Sequence, residues 1–278
     1  MKKLFTLWAL SFALLASAQQ ANLCFKPVVS KKYNVSFVSN MDIVQSMGGM
    51  DVKVKANSEG NAGMLIEKVA PNGDVTILTE WKNMKVTSSA MGNDTVIEYK
   101  DMKLKFRTVY SNVGKILKSE RVDSAKIAGL ELVDQMMKGL KFPYYTCNAV
   151  KVNDSWTVEN NESLAPGSAG NPFEMNVKTT ENVTYLGTES KNGVTYNKLK
   201  VSGPMKIDGK GSQMGMDMSI DGTGVTDGFA LIDTKTGFPA YVESKMGMDM
   251  NIAVTGAQSM AIPMTQNGTN IYTFTEVK

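Results

Sequence analysis

The sequence predicts a mainly β (α+β) fold, a strongly curved antiparallel sheet or half-barrel wrapped around one helix over about residues 124–140. Three observations predict it. Apolar residues alternate with polar ones at period two through most of the chain. Turn-forming residues punctuate that alternation at hairpin spacing. A single stretch breaks the pattern with helical spacing.

The strands are read from the alternation. Tyr33, Val35, Phe37, Met41 and Ile43 occupy the odd positions of one long strand. At Gly48-Gly49 the phase shifts, and Met50, Val52 and Val54 continue at even positions, which marks a bulge or tight turn. Residues 63–70 and 74–81 flank Pro71-Asn72-Gly73-Asp74 and form a hairpin. Shorter strands follow at 85–88, 95–99 and 103–110. From Ser124 to Leu140 the apolar residues are Ile127, Ala128, Leu130, Leu132, Val133, Met136, Met137 and Leu140. Their spacing is that of a helix, with a candidate N-cap at Asp123 or Ser124 and Pro143 beyond its end. Strands resume at 155–158, 173–179, 183–188, 194–201, 205–207 and 213–220. The last are 228–233, 238–254 and 270–277, with turns at Lys191-Asn192-Gly193 and Thr234–Gly237. Short strands at this spacing argue for an antiparallel sheet, sandwich or barrel rather than βαβ units.

The N-terminus predicts export. Lys2 and Lys3 precede an apolar run from Leu4 to Leu15, and Ala16-Ser17-Ala18 supplies a small-x-small cleavage pattern. Residues 1–18 are therefore expected to be a signal peptide. The run is shorter than the ~20 residues that span a bilayer, and no later stretch is apolar enough to cross as a helix. Cys24 follows Ala21-Asn22-Leu23, a poor match to a lipidation site. Residues 19–278 are expected to form one β-rich domain, with two related halves (24–145 and 150–278) as an alternative. That alternative rests on the echo between Met47–Val52, Met214–Ile220 and Met246–Ile252. The expected location is the periplasm or the outer-membrane or cell surface.

The net charge of +3 falls to +1 once Lys2 and Lys3 are removed, which argues against nucleic acid as a partner. The two cysteines, Cys24 and Cys147, are expected to pair in an oxidising compartment.

Most catalytic chemistry is missing. The chain has no His, which removes Ser-His-Asp and Cys-His hydrolysis and His metal sites. No phosphate loop and no zinc-type Cys spacing occur, and Asp217, Asp221, Asp227 and Asp233 do not form a calcium loop. The chain reads as a non-enzyme without a cofactor or metal centre.

The unusual feature is its 20 Met. Met214, Met216, Met218 and Ile220 share one face of a strand, and Met246, Met248, Met250, Ile252 and Val254 share one face of another. The residues between them are small or polar. Three uses of such a face are open. It is a plain core, because Met fills irregular gaps. It is an apolar ligand face, suited to lipid or acyl chains. Or it binds copper(I), which soft thioethers select. The candidate ligand face comprises Met50, Met214, Met216, Met218, Ile220, Met246, Met248, Met250 and Ile252. A structural module of the envelope without a ligand is the alternative function. Nothing in the sequence sets an oligomeric state.

Several turns carry a resemblance. Val152-Asn153-Asp154-Ser155-Trp156 matches a Gly-Asp-x-Trp-like turn with Asn153 where Gly is usual. Gly228–Gly237 with the strand after it, Ala70–Val75 and the segment at Asp94-Thr95-Val96 add to it. In these the chain resembles exported Gram-negative (Bacteroidota-type) proteins of unknown function, similar in shape to periplasmic lipoprotein-carrier half-barrels (LolA- and LppX-like). The resemblance implies a curved sheet about a helix whose concave face holds lipid, and it assigns no functional residue. Asp94-Thr95-Val96 and Asp123-Ser124-Ala125 also resemble a bacterial O-glycosylation sequon.

Overall fold

The computed structural model describes residues 20–123, 140–164, 173–213, 216–256 and 259–277. Both the expected signal peptide and nearly all of the expected helix lie outside them. The first half of the chain forms β1 (Ala21–Asn22), β2 (Lys32–Met47), β3 (Met50–Val69), β4 (Val75–Ala90), β5 (Asn93–Tyr99), β6 (Leu104–Tyr110) and β7 (Ile116–Arg121). The second half forms β8 (Ala149–Val150), β9 (Ser155–Leu164), β10 (Phe173–Lys191), β11 (Val194–Gln213), β12 (Met216–Asp233), β13 (Pro239–Thr255) and β14 (Met260–Glu276).

Twelve strands make one antiparallel sheet in the order β7-β6-β4-β3-β2-β14-β13-β12-β11-β10-β9, with β5 also on β4. The pairing of β14 with β2 joins the two halves of the chain into that sheet. β1 and β8 form a separate two-stranded ladder. The 20-residue strands β3 and β11 extend roughly 65 Å at ~3.3 Å per residue.

The strands outrun the sequence reading because residues read as breaks lie inside them. Gly60 and Gly63 sit within β3, Gly203 and Pro204 within β11, and Gly222, Gly224 and Gly228 within β12. Strand pairing runs on through these glycines rather than ending at them. A Cβ at Gly203 would meet the Thr180 backbone oxygen at 1.8 Å, and one at Gly228 the Glu243 oxygen at 2.1 Å. Neighbouring backbone closes in over them as the sheet coils. The turns are closer to expectation. Met47 pairs with Met50 across Gly48-Gly49, both at positive φ, so this pair makes a two-residue hairpin turn. Asn192-Gly193 does the same between β10 and β11. Asn153 adopts φ 73°, the left-handed conformation that its Gly-like place in the turn requires.

The expected wrapping of the sheet around a helix is corrected. Among the described residues every regular element is a strand. One end of the inner face is filled by two irregular segments that bring Leu23, Phe25, Leu140, Phe142 and Tyr145 into the core. They pack on Val35, Met64, Ile77, Phe106 and Tyr110 from one wing of the sheet and on Val183, Tyr185, Leu199 and Ile232 from the other. Phe25 lies at ring-contact distance from Tyr110, Phe142, Tyr145 and Phe238. Its backbone NH bonds to Asn112 O, and Lys26 NH bonds to Thr236 O, so the N-terminal strap bridges two hairpin turns. The Cys24–Cys147 disulfide joins the two segments across 123 residues. Aromatic side chains, each burying large area, thus do the filling expected of a helix.

Candidate functional site: a methionine-lined inner face

Register decides which residues share the inner face. Beyond the filled end, Met246, Met248, Met250 and Ile252 of β13 stand opposite Thr226, Gly224, Gly222 and Ile220 of β12. On the far side of β12, Met205 pairs with Gly224 and Ile207 with Gly222. Met175 and Val177 of β10 extend the face. On the other flank Met264 pairs with Met250 and Ile262 with Ile252. Met41 and Ile43 of β2 and Val52 and Val54 of β3 continue it.

At its centre is a small packed cluster. Met248 is 5% exposed, Met205 9% and Ile207 6%, with Met175, Val177, Ile220, Met246 and Met250 half-buried against them. Met205 and Met248 approach each other over Gly224, where an added Cβ would fall 3.1 Å from Met248 Cα. The rest of the face is half-buried rather than sealed. The Gln45 amide donates to Met264 Sδ at 3.2 Å.

The sequence-predicted residues divide. Ile220, Met246, Met248 and Met250 come together. Met218 and Ile252 lie half-buried towards the strand ends. Met216 is 39% exposed at the start of β12, and Met50 is 72% exposed at a hairpin tip away from the cluster. Met214 lies outside the described residues. Met175, Val177, Met205 and Ile207 were missed. The alternation Met205-Lys206-Ile207 was visible, but Gly203-Pro204 masked its continuity with the strand before it, and only register sets it beside Met248.

A polar row separates the Met face from the aromatic end. Ser58 pairs with Ser39, Ser39 with Asn270, Asn270 with Ser244, and Ser244 with Gly228. These inward side chains are half-buried, and none bonds to another described side chain. Further round lies Glu181 on β10, whose neighbour Tyr144 comes from the filling segment. Burial raises the Glu181 carboxyl above its ordinary range, an effect Lys141 opposes and Glu162 reinforces. Lys141 bonds to Glu162 at 2.8 Å. Deeper in, burial raises Tyr33 to about 12, and Tyr110 donates its hydroxyl to Leu140 O.

The outer face has the opposite character. Asp51, Lys53, Lys55 and Glu59 on β3, and Glu243, Lys245, Asp249 and Asn251 on β13, alternate with the inward residues. A membrane barrel carries an apolar outer band, and these positions do not supply one. No helix among the described residues is long and apolar enough to cross a membrane. Among the described residues no group of His, Cys, Asp or Glu is placed to hold a metal ion. Thr95 of the first sequon-like triplet is exposed on β5, while Ser124 of the second lies outside the described residues.

No family model and no curated protein matches this chain. Solved structures do, at low similarity. An outer membrane channel from Pseudomonas putida F1 is 7% identical with a TM-score of 0.25, covering 90% of this chain and 98% of that one. The translocator domain of the autotransporter NalP from Neisseria meningitidis is 8% identical with a TM-score of 0.24, covering 95% and 92%. OccK7 of Pseudomonas aeruginosa is 6% identical with a TM-score of 0.24, covering 90% and 100%. At TM-scores this low the likeness assigns nothing to this chain.

Proposed function

We propose that this chain is an exported, non-enzymatic protein of the cell envelope that holds an apolar ligand, a lipid or acyl chain, against the Met-lined inner face. The observation that carries the reading is the contrast along one continuous sheet. At one end the inner face is filled by buried aromatic side chains in mutual ring contact. Beyond the polar row it continues apolar: Met205 and Met248 are buried against each other, Met175, Met246, Met250 and Met264 around them are half-buried, and among the described residues no second layer lies over them. A sheet with one apolar face buries it against something, and large uncovered apolar surface marks a binding face. Thioether side chains adapt to apolar partners of varied shape. The oxidised Cys24–Cys147 pair suits a compartment outside the cytoplasm.

The test is twofold. Native mass spectrometry of protein taken from its own envelope should reveal retained lipid, and an apolar fluorescent probe such as N-phenyl-1-naphthylamine should bind the folded, delipidated protein. Met250→Asp, on the half-exposed part of the face, should abolish probe binding while far-UV circular dichroism stays unchanged. Bare protein in the first experiment together with no probe binding in the second refutes the reading.

A further inference from the structure

Every exposed methionine among the described residues stands at one end of the sheet. Met47 closes β2, Met50 opens β3, Met91 follows the last residue of β4, Met216 opens β12 and Met260 opens β14. These strand ends lie away from the aromatic filling, which packs where β2 begins and β12 ends. Met50 is 72% exposed and Met91 79%. The turns that carry Met47, Met50 and Met91 project clear of the rest of the chain, since a Cβ added at Gly48, Gly49 or Gly92 would meet nothing within 4 Å. Apolar residues scattered singly over a surface need no explanation. The exposed methionines are not scattered; they gather at one end.

Register ties this rim to the Met face. Met47 pairs with Met50, Met260 with Val254 and Val254 with Met218, and Met216 shares the side of Met218, so all four exposed strand-end methionines carry the inward parity of the Met face. Inward residues run from the rim as Met260, Ile262, Met264 down β14 and as Met216, Met218, Ile220 down β12, with no polar side chain between the rim and the Met face along either strand. Successive tips reach further out from β4 to β12, because Ala90 pairs with Val54, Gln45 with Met264, and Val254 with both Met260 and Met218. Tilted strands of a curved sheet bring such staggered ends to one rim.

Resting on the proposed apolar-ligand function, we infer that these tips dock into the surface of a lipid bilayer, and that the rim is the mouth through which an acyl chain passes between the bilayer and the Met face. The tips enter the interface without spanning it, because the strands behind them carry exposed charge on their outer side: Asp51 and Lys53 on β3, Asp94 on β5, Lys210 on β11 and Asp217 on β12. Lysines and aspartates mixed in this way make no cationic patch, so the attraction is apolar rather than electrostatic.

Flotation of the delipidated full mature chain with vesicles of phosphatidylcholine, alone or mixed with phosphatidylglycerol, tests this. The protein should float with both, in dilute buffer and in concentrated salt alike. Met50→Asp with Met260→Asp, both at exposed positions, should cut the vesicle-bound fraction on the order of tenfold. Far-UV circular dichroism and N-phenyl-1-naphthylamine binding should stay as in the parent chain. Met50→Trp should add fluorescence, over that of Trp81 and Trp156, that brominated phosphatidylcholine quenches; Val225→Trp, at an exposed position on the outer side of β12, should add fluorescence that it does not quench. No flotation by a chain that still binds the naphthylamine probe overturns the docking and leaves the apolar-ligand reading intact, and a dimer lost on Met50→Asp would then make the rim a contact between copies. Flotation that requires phosphatidylglycerol and disappears in salt also overturns it. Absence of probe binding refutes the apolar-ligand reading itself, and the role of the rim as its mouth with it.

Discussion

Met248 and Met250 stand two residues apart on the same face of β13, and the structure gives them different surroundings. Met248 is 5% exposed and meets Met205 over Gly224, whose lack of a side chain leaves the space between them to the two thioethers. Met250 lies beside it half-exposed, paired with Met264 on one flank and Gly222 on the other. Truncating Met248 to Ala deletes three heavy atoms from a site whose backbone is held by ladders on both sides and cannot collapse. The cost should be about 3 kcal/mol, within the ~2–5 kcal/mol range for a buried Met. Truncating Met250 leaves a gap open to water, so its cost should stay below roughly 1 kcal/mol. Urea unfolding followed by the fluorescence of Trp81 and Trp156 measures both. If Met250→Ala costs as much as Met248→Ala, the face is sealed core and the argument for a ligand fails. If neither costs more than about 0.5 kcal/mol, the cluster itself is refuted.

Three further outcomes are expected. Gly203→Ala should lower stability by at least about 2–3 kcal/mol, because its Cβ would fall 1.8 Å from the Thr180 backbone oxygen and no rotamer change can relieve that; an unchanged urea midpoint would show that the coil of the sheet does not depend on this glycine. Reducing Cys24–Cys147, which closes a 123-residue separation, should lower stability by ~4–5 kcal/mol in the chain-entropy model, and equal urea midpoints with and without reductant would contradict the role of the bridge in holding the filling segments. Glu181 has a raised carboxyl pKa in the folded state. Its contribution is therefore fully present below the unfolded pKa and is lost as pH rises through the folded value. Glu181→Gln should flatten that loss, raising the melting temperature at neutral pH more than at pH 4; a larger gain at pH 4 would reverse the assigned direction.

Much of the strand pattern was legible because alternation is a local property. Tyr33, Val35, Phe37, Met41 and Ile43 face inward as their spacing predicts, and the Asn-Gly and Gly-Gly turns need only the chemistry of two residues. The strand lengths were not legible. Gly203, Gly222, Gly224 and Gly228 carry the same local signature whether they end a strand or lie within it, and the neighbouring backbone that closes over them comes from other parts of the chain. The stretch 124–140 illustrates the same limit. Its helical spacing was clear, but what fills the end of the sheet is an aromatic group drawn from residues 23–25, 140–145, 238 and 274, which no window of sequence contains.

The Met face divides along that line. The sequence by itself determined that Met246, Met248 and Met250 share a side, since side chains alternate across a strand whatever it pairs with. It also determined the absence of His and hence of the chemistries that need it. Only the tertiary structure decided that Met205 and Ile207 join them, that Met50 does not, and that a row of Ser and Asn crosses between the Met face and the aromatic end. The physical reason is register. One residue of slip moves every side chain of a strand to the opposite face, and register here is set by pairings between strands as distant in sequence as β2 and β14.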